Sequence, residues 1–192
     1  MDNSFSFIIP LKKDGLNALT GIASTTSVDR DSERMSANAL KSMVSEIKSK
    51  GVNLFGNHEH DWENTLGAVN DASLVGDRVR VGIILDNPDT NPKIPMLINK
   101  LNAGIKLGLS VGGNVKDFKW EFDKLAGKKI KVLDDVQIYE ISVVGIPSNA
   151  ESFLTIPQAI MKSAKLKAAR KICPLCFSNV IKGVCDLCLA KA

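Results

Sequence analysis

Gln137-Ile138-Tyr139-Glu140-Ile141-Ser142-Val143-Val144 is the stretch on which the reading of this chain turns. Its β-branched and apolar residues mark a strand. Side chains alternate along a strand, so Tyr139, Ile141 and Val143 are expected on one face and Glu140 and Ser142 on the other. A carboxylate in so apolar a strand is costly to bury unless it has a partner. A histidine would give that pairing a chemical use, because a carboxylate fixes the tautomer and orientation of an imidazole. A glutamate on an exposed face, or in a purely structural ion pair, is the alternative.

The only two histidines of the 192 residues lie in Gly56-Asn57-His58-Glu59-His60-Asp61-Trp62. Any site that needs a proton shuttle or an imidazole ligand therefore draws on this segment. Val52–Phe55 reads as a strand leading into it. If the extension continues, His58 and His60 project from one face and Glu59 from the other.

Further strands are expected at Phe5–Ile9, Ala18–Ala23, Thr65–Val69, Arg78–Leu85, Leu107–Val111 and Lys129–Val132. Gly76-Asp77 forms a hairpin turn, and Lys116–Gly127 a charged hairpin region. Ser36 opens a helix to Lys50, with Leu40, Met43, Val44 and Ile47 at spacings of three and four and Gly51 as its stop. A shorter helix spans Pro92–Ala103 and ends at Gly104. Many strands interrupted by two helices indicate an α+β domain with a mainly antiparallel, barrel-like sheet. The expected organisation is a main domain over 1–155, a basic helical linker over 156–171 and a cysteine-bearing tail over 172–192.

Hydrophobic residues make up 44% and charged residues 24%, as in ordinary globular chains. The longest apolar runs fall far short of the roughly 20 residues that span a bilayer. The opening MDNSFSFIIPLKK lacks the pattern of a secretory signal, so an intracellular protein without membrane attachment is expected. The net charge of +4 includes a cluster at Lys162, Lys165, Lys167, Arg170 and Lys171. With only two Trp and one Tyr there is no aromatic-interleaved basic surface, so nucleic acid is not the expected main partner.

Cys173-Pro-Leu-Cys176 and Cys185-Asp-Leu-Cys188 place four thiolates in two knuckles able to close a tetrahedron on zinc. Without a secretion signal, two disulfides are the weaker reading. The set leaves no open coordination position, so the zinc expected in this ribbon is structural.

Gly108-Leu109-Ser110-Val111-Gly112 matches G-x-S-x-G, a spacing that leaves a serine exposed between small neighbours. No histidine follows Ser110, which excludes the serine, acid, histidine order of the α/β-hydrolases. Serine and histidine constellations are defined by geometry, however, and occur in unrelated chain orders.

Taken together, His60-Asp61, Leu66-Gly67, Gly108–Gly112 and Tyr139–Val144 with Pro147 and Ala150 resemble the prohead serine proteases of tailed phages. Gly21-Ile22-Ala23-Ser24 followed by Asp29 and Asp31 is similar to that family's opening strand and loop. The resemblance covers about residues 5 to 155. It implies a fold related to the herpesvirus capsid (assemblin-type) protease. The implied activity is a serine endopeptidase that cuts scaffold or capsid protein inside the prohead, and often itself. It implies Ser110 as nucleophile, His60 as general base and Glu140 as third member, with no cofactor for catalysis. His58 departs from the family's single histidine and is an alternative catalytic residue. Backbone N–H groups at Gly112 and Gly113 are candidate oxyanion donors. The expected partners are capsid and scaffold proteins and further copies of the chain in a homo-oligomer, and the expected location is the host cytoplasm or the prohead interior.

Two other readings stand beside it. A metal-dependent hydrolase would use His58 and His60, with Asp29, Asp31 or Asp86 completing the ligand shell. A non-catalytic scaffold or adaptor, a degenerate protease domain, would use the zinc ribbon to bind a capsid partner or nucleic acid.

Overall fold

The computed structural model describes residues 18–125 and 127–156, together with two short strands at 180–181 and 184–185. The fold is α+β, built on a curled, half-barrel mixed sheet flanked by two helices. The strands are β1 (Ala18–Thr25), β2 (Glu33–Met35), β3 (Val52–Gly56), β4 (Thr65–Val75), β5 (Arg78–Leu85), β6 (Gly108–Asp123), β7 (Lys128–Val144) and β8 (Leu154–Thr155). The helices are α1 (Ala37–Lys50) and α2 (Lys93–Asn102). The expected strand at Phe5–Ile9, the helical linker and most of the cysteine tail lie outside the described residues. Within that tail, β9 (Val180–Ile181) pairs antiparallel with β10 (Val184–Cys185). No helix among the described residues is long and apolar enough to cross a membrane.

The main sheet runs β2 or β3 beside β7, then β4, β5, β1 and β8, with β6 on the other side of β7. Its two ends approach each other, since the Leu154 N–H at the β8 end donates to the Leu107 carbonyl, just before β6, at 3.0 Å. Most pairings are antiparallel, as expected. Both β2 and β3, however, pair with β7 in parallel, which makes the sheet mixed. The cause is α1, which leaves the end of β2 and returns the chain to the same edge of β7 at β3. The ladder gap thus created is filled from the helix: Glu46 Oε2 accepts the Ile138 N–H at 2.7 Å.

The caps of α1 are those its sequence supplies. Ser36 Oγ accepts the Ala39 N–H at 3.1 Å, and Gly51 ends the helix with φ of 65°. Ala39, Leu40, Met43 and Ile47 are buried at helical spacing, facing β4 and β7. They meet Leu54, Val69, Val81, Ile83, Leu109 and Ile141 in one apolar core.

Two strands are much longer than the sequence pattern suggested. β6 and β7 form a single hairpin of 16 and 17 residues, absorbing the charged segment. Beyond the core the ladder continues in solvent, where charges pair laterally: Arg34 with Glu121 at 2.7 Å and Lys119 with Glu121 at 2.9 Å. The expected alternation at Tyr139 also fails. Gly112 pairs with Glu140 but Gly113 with Ile138, so Tyr139 is the extra residue of a β-bulge. The bulge turns Ile138 into the core at 2% exposure and puts Tyr139 outside at 58%.

Gly67 is the glycine the sheet most depends on. Its φ is 147°, and a Cβ there would lie 2.1 Å from the Ile84 carbonyl oxygen of the neighbouring strand. Strain and overpacking together are worth about 2–4 kcal/mol. Gly67→Ala is expected to lower the urea midpoint accordingly with an unchanged slope, and a midpoint equal to wild type would contradict this account.

Candidate active site

Glu140 is the only charged side chain among the buried described residues, at 2% exposure. Its carboxylate is fully partnered. Ser142 Oγ donates to Oε2 at 2.7 Å, and His58 Nδ1 lies 2.6 Å from Oε1. His60 Nε2 approaches the same Oε1 at 3.6 Å, within ion-pair range but too long for a hydrogen bond.

The histidines reach this carboxylate by a route that continued extension would not give. β3 stops at Gly56, and Asn57 and His58 take φ values of 53° and 61°. Left-handed backbone is uncommon for residues other than glycine, though Asn and His accept it best. The reversal is braced by the Asn57 N–H on the Val143 carbonyl at 3.0 Å and the Glu59 N–H on the Gly56 carbonyl at 3.1 Å. The His58 N–H adds a bond to Ser142 Oγ at 3.1 Å. The turn therefore folds back over β7, where both imidazoles converge on Glu140.

His60 is held from two sides. Its ring packs on Phe55 with centroids 5.4 Å apart. The next residue, Asp61, caps a short 3₁₀ turn at Trp62–Asn64, accepting the Asn64 N–H at 2.9 Å and Asn64 Nδ2 at 2.7 Å. The Asn64 side-chain bond holds the Asp61 carboxyl below the usual carboxylate range. Asp61 thus shapes the turn that carries the histidine.

Ser110 lies on the neighbouring strand. It pairs directly with Ser142, so the two side chains share a sheet face, with Glu140 one step further along β7. Gly108 and Gly112 share that face, and each vacant Cβ position is filled by a neighbour. A Cβ on Gly108 would meet Pro147 Cγ at 2.4 Å, and one on Gly112 would meet Glu140 Oε1 at 2.1 Å. The two glycines of G-x-S-x-G thus act here as seats for a proline ring and a carboxylate on either side of Ser110. β6 pairs only with β7 among the described strands, so alternate N–H groups point off its free edge, and the register shifts between Gly112 and Gly113.

Two cavities border these residues. One of about 500 Å³ lies between the histidine turn and α2, lined by Asn57, Leu66, Met96, Leu97, Val144 and Lys100 among others. The other, of about 210 Å³, has Ser110, Leu109, Asp29 and Gln137 in its wall.

The structure does not bring Asp29, Asp31 or Asp86 to the histidines. Among the described residues, the side chains there close enough together to hold a metal ion are His58, His60 and Glu140. Asp29 caps its own loop, accepting the N–H groups of Asp31 at 2.9 Å and Glu33 at 2.8 Å, and burial raises its carboxyl above the ordinary value. Asp31 accepts Ser148 Oγ at 2.6 Å, and Asp86 accepts Asn91 Nδ2 at 3.1 Å. Sequence reasoning missed the role of Ser142, although strand alternation had placed it beside Glu140.

The family model of the caudovirus prohead serine proteases matches residues 14–182. The chain belongs to that family. It is 23% identical over 150 residues to a prohead protease of Escherichia phage T5, covering 77% of this chain and 66% of that one. It is 25% identical over 172 residues to a capsid polyprotein of Pseudomonas phage PAJU2, covering 84% of this chain and 23% of the polyprotein. Its fold is similar to that of the bacteriophage T4 capsid assembly protease, with a TM-score of 0.52 at 16% identity, over 71% of this chain and 87% of that one.

The seat at Gly112 is open to test. Gly112→Ala is expected to displace the Glu140 carboxylate, lower stability by about 1–3 kcal/mol and release His58 from its hydrogen bond. Nitrogen-15 resonances of the His58 ring would report that release, and unchanged resonances would contradict the packing.

Proposed function

We propose that this chain is a serine endopeptidase of capsid maturation, with Ser110 as nucleophile, His60 as general base and Glu140 as the acid that orients it. The observation carrying this reading is the buried, fully partnered Glu140, set two residue pairs along the sheet from Ser110, on the same face and under two imidazoles. His60 takes the Ser110 hydroxyl proton as Oγ attacks the peptide carbonyl carbon. It then returns that proton to the leaving amine as the C–N bond breaks. Water hydrolyses the resulting acyl-enzyme by the same proton path. N–H groups at Gly112 and Gly113 are the oxyanion donors of this reading.

The names of the relatives, a prohead protease and a capsid polyprotein, support capsid or scaffold protein as the substrate, cut inside the prohead, with self-cleavage in the same class. Ser110→Ala is expected to abolish processing of a co-expressed capsid protein while leaving the unfolding midpoint near wild type. Continued cleavage by that variant would overturn the nucleophile.

Motif and distance point to different histidines. His60 precedes Asp61 as in the family motif, whereas His58 makes the shorter contact with Glu140. The base is assigned to His60, because His58 is committed to the carboxylate and its backbone to the turn. His60→Gln is expected to reduce cleavage by about 10³-fold or more, and His58→Gln by much less. The reverse order would move the base to His58.

The tail is proposed to be a structural zinc ribbon held by Cys173, Cys176, Cys185 and Cys188. Support comes from the two C-x2-C knuckles and from the β9–β10 pair, which follows the first and ends at Cys185 of the second. Its suggested use is to dock the protease on its substrate shell. Cys176→Ser is expected to lose bound zinc by atomic absorption, and an unchanged metal content would refute the ribbon.

A further inference from the structure

We propose that His58, His60 and Glu140 form a second, inhibitory zinc site, in which a bound ion holds the protease inactive. One ligand atom from each of the three residues lies within 4.8 Å of the others. Two imidazoles and a carboxylate are a set that zinc accepts with a fourth position left open. Ligand atoms around a tetrahedral zinc with bonds near 2.1 Å stand about 3.4 Å apart. The 3.6 Å between His60 Nε2 and Glu140 Oε1 already matches that spacing. The 2.6 Å between His58 Nδ1 and the same oxygen must open by about 0.8 Å, a small rotation of a half-exposed ring.

The surroundings are those of a prepared site. Ser142 Oγ occupies Oε2 and leaves Oε1 aimed at both imidazoles, as outer hydrogen bonds orient metal ligands. The backbone of His58 is pinned in its left-handed turn by Ser142, and the His60 ring rests on Phe55. Both imidazoles remain partly open, with side-chain exposures of 39% and 60%, so an ion reaches them from solvent.

A protease that needs one histidine gains nothing evident for proton transfer from a second imidazole on the same carboxylate oxygen. It does gain a bidentate nitrogen clamp for a borderline-soft divalent ion. Zinc bound through the lone pair of His60 Nε2 leaves the ring proton on Nδ1, so the imidazole has no lone pair free to accept the Ser110 proton, and binding and catalysis exclude each other. The inhibitory half of this proposal rests on His60 serving as the base; the binding half does not.

The test uses the full chain with its tail already loaded with zinc. In the Ser110→Ala background, calorimetric titration with zinc is expected to show one further equivalent at micromolar affinity. His58→Asn keeps a residue that tolerates the left-handed turn, and is expected to weaken that equivalent by about 10-fold or more, as is His60→Gln. No further equivalent, or one indifferent to both substitutions, overturns the site. For the inhibitory half, a fluorophosphonate probe is applied to the Ser110-bearing chain. Labelling is expected to fall as zinc fills the second site and to recover when a mild chelator removes it. Undiminished labelling with the site filled overturns inhibition. A chain that never labels, even free of the second zinc, overturns the protease reading and the inhibitory role with it, while the binding result stands.

Discussion

The buried carboxylate of Glu140 is the constraint around which the rest of the site is arranged. At 2% exposure it has lost its water, and a buried ion deprived of one partner is destabilised by about 3–5 kcal/mol. Each neighbour therefore has a necessary form. Ser142 supplies a hydroxyl to one oxygen and His58 a ring nitrogen to the other, while Gly112 has no side chain because the carboxylate lies where a Cβ would be. No buried side-chain polar atom among the described residues is left without a partner.

The parallel pairing of β3 with β7 explains why a strained turn is needed. β3 runs alongside Glu140 to Val143 in the same direction, so a chain that continued straight would leave Glu140 behind. Reversal at Asn57 and His58 brings the imidazoles back over residues already passed. The two left-handed residues hold the imidazoles over Glu140, and their strain of order 1–3 kcal/mol each is offset by bonds to Val143, Ser142 and Gly56. Parallel pairing in turn depends on α1, whose length returns the chain to the β7 edge and whose Glu46 closes the gap there.

Elements with local signals were legible in the sequence. α1 announced itself by Ser36, its apolar spacing and Gly51; α2 by its apolar run and Gly104; the β4–β5 hairpin by Gly76-Asp77. What was not legible depended on partners distant in the chain. The bulge at Tyr139 arises from register against β6, and nothing in residues 137 to 144 distinguishes it from plain alternation. The reversal after β3 uses Asn and His where glycine would have signalled it. The outer half of the β6–β7 hairpin was obscured by its charges, which pair across strands instead of ending them. Of the proposed site, Glu140, Ser110 and the histidine segment could be picked out in the sequence, since only one segment carries imidazole. The tighter approach of His58, the service of Ser142 and the capping by Asp61 required the fold.

The G-x-S-x-G match shows how one pattern can answer two physical needs. In a nucleophile elbow the glycines permit a sharp turn. Here Ser110 is the third residue of β6, and glycine at 108 and 112 leaves room for side chains arriving from elsewhere, Pro147 on one side and Glu140 on the other. The spacing of two follows from strand alternation, since positions 108, 110 and 112 share a face. The same alternation places Ser142 opposite Ser110 and Glu140 opposite Gly112. Two paired strands thus present Ser110 and Glu140 in fixed register, and only the histidines have to be delivered by a turn. Because Oε1 faces both imidazoles, the ring N–H that occupies it decides which histidine is tied to Glu140 and which is free.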